Sequence, residues 1–113
     1  MLTVGQLREW GANTDEALGR CLNNENFYLM LVGKAMQDQS FEKLREALEA
    51  KDLDKAFDAA HALKGVMANL ALTPLTVPVS EITELLRSRT EMDYSPYLEK
   101  INEKKEELIK LMN

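Results

Sequence analysis

Between Asp52 and Leu72 the apolar side chains recur every three or four residues, at Leu53, Ala56, Ala60, Leu63, Met67 and Leu70. That interval is the helical period, and it draws one apolar stripe along a helix of about five turns. Asp52 stands just before the first apolar position and is suited to accept an unpaired backbone N–H, so it caps the start. A single striped helix has no stable place in water, because its apolar face must be covered by other elements. The same period recurs on both sides. In "NENFYLMLVGKAMQDQSFEKLREALEAKD", Phe27, Leu31, Ala35, Phe41, Leu44 and Leu48 advance by helical steps, with polar Gln37-Asp38-Gln39-Ser40 between them. One long helix bent at that polar stretch is predicted. Thr73 and Pro74 suit the cap and first turn of the next helix, which passes Ile82, Leu85 and Leu86 and ends at about Arg89. Pro78 lacks the N–H of a helix interior, which places the regular start near Pro78. Ser95 and Pro96 read as the cap and first position of a last helix with Tyr97, Ile101, Leu108 and Leu111 on one face. Lys105 interrupts that face and is expected to run its stem out to solvent. Near the N-terminus, Thr14 reads as the cap of a short helix to about Leu22, with Asp15 and Glu16 in its first turn.

Four long amphipathic helices with short connections bury their stripes against one another. The predicted fold is all-α, an antiparallel four-helix bundle with a short extra N-terminal helix over one end. At 113 residues the chain suits one domain, residues 1–113. Only 5 Gly and 3 Pro against 45% hydrophobic residues fit a helix-rich folded protein rather than a disordered one. A net charge of -5 opposes binding to a phosphate backbone, which needs a concentrated basic surface. Apolar runs such as "FYLMLVG" fall far short of the roughly 20 residues that span a bilayer. The lone Cys21 has no partner for an internal disulfide, and "MLTVGQLREW" lacks a signal-peptide layout, which suits the cytoplasm. A chain that starts at methionine and stops soon after its last helical pattern fits a free-standing protein, although a subcloned domain would read the same; a monomer is expected.

The only histidine, His61, lies on the striped helix. With Ala56 set at zero and about 100° per residue, the stripe stays within roughly 60° and His61 falls about 140° round. Its neighbours on that side are Phe57, Asp58, Lys64, Gly65 and Ala68. Gly65 and Ala68 are nearly without side chains, so the imidazole stands over a shallow surface open to a large partner. Glycine inside a helix costs about 1 kcal/mol relative to alanine, which asks for a reason of access or of packing. A neutral imidazole nitrogen is a competent nucleophile, and Lys64 could meet the negative charge of a phosphoryl group placed on it. A lone polar surface histidine, with Lys64 snorkelling and Gly65 packed tightly against another helix, accounts for the same residues without chemistry.

The stretch Ala56 to Leu75, "AFDAAHALKGVMANLALTPL", resembles the histidine-containing phosphotransfer (HPt) domain family, whose signature is a helical His-x-x-Lys-Gly followed by small residues and Asn-Leu-Gly. The likeness extends back through "NNENFYLMLVGKAMQDQSFEKLREALEAKDLDKAFDAAHALKG". In that family a four-helix bundle presents one histidine, which takes a phosphoryl group from a receiver-domain phospho-aspartate and passes it to another receiver. The resemblance implies that His61 is the phospho-acceptor, that Lys64 supports the phosphoryl charge and that Gly65 clears space for the partner. It makes Asn69 structural. Ala71 departs from the family's glycine after Asn-Leu, which would prolong the helix there. Thr83 stands where some members carry a glutamine that holds the phosphoryl group, implying a weaker hydrogen bond or none. The implied partners are response-regulator receiver domains and hybrid sensor histidine kinases. Catalysis would come from the receiver and its magnesium ion, with no cofactor, metal site or kinase activity in this chain.

Two other functions fit parts of the pattern. Asp58-Ala59-Ala60-His61 has the spacing of a helical carboxylate–histidine metal motif, but a di-iron bundle needs two such sets and this chain has one histidine. A docking bundle without chemistry would use Phe57, Ala68 and Leu72 as its patch. It would not require the His-x-x-Lys-Gly set.

Overall fold

The computed structural model describes residues 1–113 and contains seven α-helices and no strand. They are α1 (Val4–Trp10), α2 (Thr14–Arg20), α3 (Glu25–Ala35), α4 (Ser40–Glu49), α5 (Leu53–Asn69), α6 (Thr73–Arg87) and α7 (Ser95–Met112). The all-helical class is as expected from the apolar period. α5 packs against both α4 and α6, and α6 also packs against α7. One hydrophobic cluster runs through the chain from Leu2 to Leu108. No helix is long and apolar enough to cross a membrane.

The N-terminal half departs from expectation in three ways. α1 was not anticipated, although its signal is present: Thr3 accepts from the Gln6 N–H at 3.1 Å while the Gln6 side chain accepts from the Thr3 N–H at 2.9 Å. This reciprocal capping satisfies two free donors at once. Trp10 then ties α1 to α7, its Nε1 donating to Glu107 at 3.2 Å. Next, Asn13 rather than Thr14 caps α2, while Thr14 is buried in the first turn and accepts from Arg8 Nε at 3.0 Å. Finally, the anticipated bent helix is two helices. The polar residues between α3 and α4 form their own turn, in which Asp38 accepts from the Ser40 N–H at 2.8 Å. The buried positions of α3 are Tyr28, Val32 and Ala35, whereas Phe27 is 43% exposed. Leu31 is half-buried.

The C-terminal half holds closer to expectation. Asp52 caps α5, accepting from the Lys55 N–H at 3.1 Å. Leu72, not Thr73, is the residue before α6, and Tyr94, not Ser95, precedes α7, so both capping assignments shift by one residue. α6 does not wait for Pro78 but begins at Thr73 and runs through it. The N–H that Pro78 lacks would have served the Pro74 carbonyl, in the first turn, so one bond is lost near the helix end and the ring is buried in the core. Lys105 does leave the apolar face, but its ammonium ends 4.6 Å from the centroid of the Phe41 ring instead of standing alone in water.

The turn after α5 fixes how the site-bearing helix ends. Ala71 is left-handed at φ 54, its N–H donates to the Ala68 carbonyl at 3.0 Å, and the Leu72 N–H reaches back to Met67 at 3.0 Å. These two bonds form a Schellman closure. Ala71 therefore adopts the conformation that glycine favours and ends the helix, rather than prolonging it. Leu70 and Leu72 are buried in consequence. The Leu70 carbonyl accepts from the buried Tyr28 hydroxyl at 2.9 Å, which joins α3 to the end of α5.

Burial, and secondarily the neighbouring Cys21, push the Tyr28 hydroxyl up to about 12. An unfolded chain would ionise it near pH 10, so its stabilising contribution is complete below about pH 10 and fades as pH rises through the folded value. Tyr28→Phe should cost about 1 kcal/mol at neutral pH through loss of the bond to Leu70. Followed by chemical denaturation, it should also show a shallower fall in stability than the parent above pH 10. An equally steep fall in both proteins would contradict this assignment.

Candidate functional site

α5 has two working faces. Ala56, Ala59, Ala60, Leu63 and Met67 are buried, while His61, Gly65, Ala68 and Asn69 are exposed. The split follows from the helical angle, since residues on the stripe turn inward and those more than a quarter-turn away face water. Alanine at three of the buried positions lets neighbouring helices approach closely, which holds the outer face of α5 in a fixed relation to α6.

His61 is exposed and stacks on half-buried Phe57, one turn earlier, with ring centroids 5.5 Å apart and planes 7° apart. At that separation, nearly parallel rings are offset rather than eclipsed, the favoured arrangement for aromatic pairs. The Phe57 ring is itself held by two cations, with the guanidinium of Arg87 at 5.1 Å and that of Arg89 at 4.8 Å from its centroid. Arg89 is anchored in turn, donating from Nε to Asp54 at 2.6 Å and from Nη1 to the Leu86 carbonyl at 2.8 Å. An imidazole stacked on a braced phenyl ring has fewer orientations open to it than an unsupported surface side chain.

Lys64 is half-buried and donates from Nζ to Glu84 at 3.4 Å. The other Glu84 oxygen accepts from Arg87 Nε at 3.2 Å. Arg87 first, and then Lys64, hold the Glu84 carboxyl below the usual carboxylate range. Two residue pairs thus bridge α5 and α6 in opposite chain directions, Lys64 with Glu84 and Phe57 with Arg87. An acidic chain consequently gathers Lys64, Arg87 and Arg89 along one seam.

Gly65 is exposed, and a Cβ built on it would meet nothing within 4 Å. Tight packing against another helix therefore does not account for this glycine. Gly65, Val66 and Asn69 instead border a shallow groove of about 560 Å³ shared with Leu31, Lys34 and Leu70. Ala68 is exposed on the same side of α5. Asn69 is exposed and its side chain makes no hydrogen bond; its carbonyl accepts from Arg20 Nη1 at 2.8 Å, as does that of Ala68 at 3.2 Å. Arg20 thereby caps the C-terminal end of α5, where a cation is favoured. Sequence reasoning missed Arg20, Arg87 and Arg89. No periodic signal marks them, because the contacts that bring them to this face, Arg20 with the end of α5 and Arg87 and Arg89 with Phe57, cross between elements.

Two expected surface residues are not on the surface. Leu72 is fully buried, because the Schellman turn carries it back into the core, so it belongs to no exposed patch with Phe57 and Ala68. Thr83 is also fully buried and donates its hydroxyl to the Val79 carbonyl at 2.6 Å. The outer positions of α6 beside it are Glu84 and Arg87, one and four residues on. Asp58 is exposed, and no group of three or more His, Cys, Asp and Glu side chains gathers with the spacing of a metal site.

Phe57→Ala should leave the helical content unchanged but move the ring-proton resonances of His61 by a few tenths of a part per million, since a stacked phenyl ring displaces them. With one histidine in the chain, those resonances need no assignment. Unmoved resonances would mean that the stack does not persist in solution.

A family model described as the Hpt domain matches residues 33–112, from within α3 to the last residue of α7. Neither the curated proteins nor the solved structures give a match. The matched span contains α4 to α7 entire, with His61, Lys64, Gly65 and the turn after α5, and it covers well over half of the chain. The chain belongs to the Hpt domain family.

Proposed function

We propose that this protein is a phosphoryl carrier of a phosphorelay, taking a phosphoryl group onto His61 from a receiver-domain phospho-aspartate and giving it to another receiver. The observation that carries this reading is the setting of His61: an exposed imidazole on a rigid helix, one turn from a glycine with open space beyond it. A small enclosed pocket would suit a metabolite. An open, exposed face suits the active centre of another protein, because only a large partner can surround the nucleophile and exclude water there.

In the transfer, the lone pair of an unprotonated His61 ring nitrogen forms the N–P bond. The acyl-phosphate P–O bond breaks, its electrons pass to the aspartate carboxylate, and the other ring nitrogen keeps its hydrogen. Lys64 supplies positive charge near the phosphoryl oxygens. Phe57 and Ala68 belong to the contact surface. The receiver would supply the aspartate and a magnesium ion, whose charge would offset that of the phosphoryl group. This chain contributes no kinase activity of its own. Response-regulator receivers and hybrid sensor histidine kinases are the partner classes, the protein acts as a monomer in the cytoplasm, and α4 to α7 serve as an antiparallel four-helix scaffold. The opposed directions of α5 and α6 along their seam support that scaffold reading.

Incubation with a receiver bearing labelled phospho-aspartate should place acid-labile, base-stable label on the parent protein and none on His61→Ala. Lys64→Ala should slow transfer by roughly three- to tenfold, the range expected for one charge-assisted contact at a partly exposed site. Label on His61→Ala equal to the parent would overturn the assignment, and binding of the receiver without any label on the parent would favour a docking role instead.

Gly65→Leu separates access from folding. The new side chain meets no neighbour within 4 Å at its Cβ, and leucine is favoured over glycine in a helix by about 0.8 kcal/mol. The variant should therefore unfold at a higher denaturant concentration than the parent while losing transfer. Undiminished transfer would refute the access role of Gly65.

A further inference from the structure

In the resting protein Lys64 already has an anionic partner. Its ammonium is 3.4 Å from one Glu84 oxygen, and Arg87 occupies the other at 3.2 Å. A carboxylate that accepts from two cations on the same seam as the imidazole presents what a phosphoryl group on His61 would present: negative charge on more than one oxygen. The Lys64 contact is the longer of the two, and both of its partners touch solvent. It can therefore be exchanged at little cost.

We propose that Glu84 is a stand-in anion for the phosphoryl group, holding Lys64 while His61 is unmodified and surrendering it when His61 is phosphorylated. This rests on the phosphoryl-carrier reading and deepens it. Without Glu84, the Lys64 ammonium would be unpaired in the resting state, and phosphorylation would gain the full value of a new ion pair. With Glu84 present, phosphorylation only exchanges one anion for another. The phosphorylated state is raised relative to the resting state, and the group is more readily given away. For a carrier whose task is to receive and then release, that balance matters more than the tightest hold. Arg87 keeps its hold on the second Glu84 oxygen throughout, so the displaced carboxylate stays tethered to α6 and can recapture Lys64 after release.

The test compares the parent with Glu84→Gln, Lys64→Met and the double variant. Each is equilibrated with the same labelled phospho-receiver, and both the partition of label between the two proteins and the half-life of the phosphohistidine are read. Glutamine keeps the size of an exposed glutamate, and circular dichroism of each variant verifies the fold. Glu84→Gln should move the partition toward this protein by about two- to fivefold, the range of an exposed ion pair, and lengthen the half-life. In the Lys64→Met background the same substitution should change the partition by less than about 1.5-fold, because no ammonium is left to exchange. Label on the parent with an unchanged partition in Glu84→Gln would overturn this inference alone. An equal shift in both backgrounds would also overturn it, as simple repulsion between Glu84 and the phosphoryl group would then suffice. No label on the parent would overturn the carrier reading together with this inference.

Discussion

The burial of α5 between α4 and α6 is the constraint on which the remaining features depend. Its inner stripe pairs three alanines with Leu63 and Met67, all buried, so the helix sits deep without large side chains to hold its neighbours off. A helix seated on both sides in this way cannot roll, and its outer residues acquire fixed directions. His61 and Gly65 face outward for the same reason that Ala60 and Leu63 face inward. The end of α5 is equally determined: Ala71 closes the turn in a left-handed conformation, Arg20 binds the last carbonyls, and Tyr28 binds the next. The left-handed conformation costs a non-glycine residue about 1–2 kcal/mol. It is retained because three separate contacts converge on that turn and would be lost together if α5 continued.

From this seat follows the electrostatic character of the seam. The chain is acidic, yet Arg87 and Arg89 from α6 and the turn after it brace Phe57, and Lys64 from α5 meets Glu84. Each cation is balanced by a nearby carboxylate, Glu84 for Lys64 and Arg87, and Asp54 for Arg89. Such pairs contribute little to stability at an exposed surface, and what they do is fix positive charge along the seam between α5 and α6. The braced phenyl ring stacks directly on the imidazole, while Lys64, one turn further along α5, is held by Glu84 across the seam.

Much of this was legible in the sequence, and the exceptions have identifiable causes. The stripe of α5 and its Asp52 cap are legible because the larger apolar residues Leu53, Leu63, Met67 and Leu70 fall on one line with Ala56 and Ala60, directly after a capping aspartate. The inward face of α3 is only partly legible, with Ala35 buried but Tyr28 rather than Phe27 in the core, because "NFYLMLVG" is apolar nearly all round and spacing alone does not choose between them. α1 is hard to read although Thr3 and Gln6 have capping-box spacing, since Val4 and Leu7 are too few to establish a period. Pro78 invited a late start for α6, but a proline near the first turn removes only one bond and its ring fits the core. Thr83 illustrates how sensitive faces are to register. One residue turns a helix by about 100°, and that is the difference between a buried threonine and the exposed Glu84 beside it. The inward position of Leu72 is not legible, because the chain reversal after Asn69 is a property of backbone dihedrals and no pattern of apolar residues announces it. The contacts of Arg20 with the end of α5 and of Arg87 and Arg89 with Phe57 are hidden for a related reason, since each crosses from one element to another.

The central claim is that His61 is a nucleophile held ready for a phosphoryl group, and phosphorus NMR tests it without any partner protein. Treated with a small phosphoramidate donor at neutral pH, the parent chain should develop a single protein-bound phosphorus resonance coupled to the ring protons of its one histidine, stable in base and lost in acid. A chain that remains without such a resonance under conditions that phosphorylate free imidazole, or whose only resonance is that of a base-labile acyl phosphate, would contradict the account.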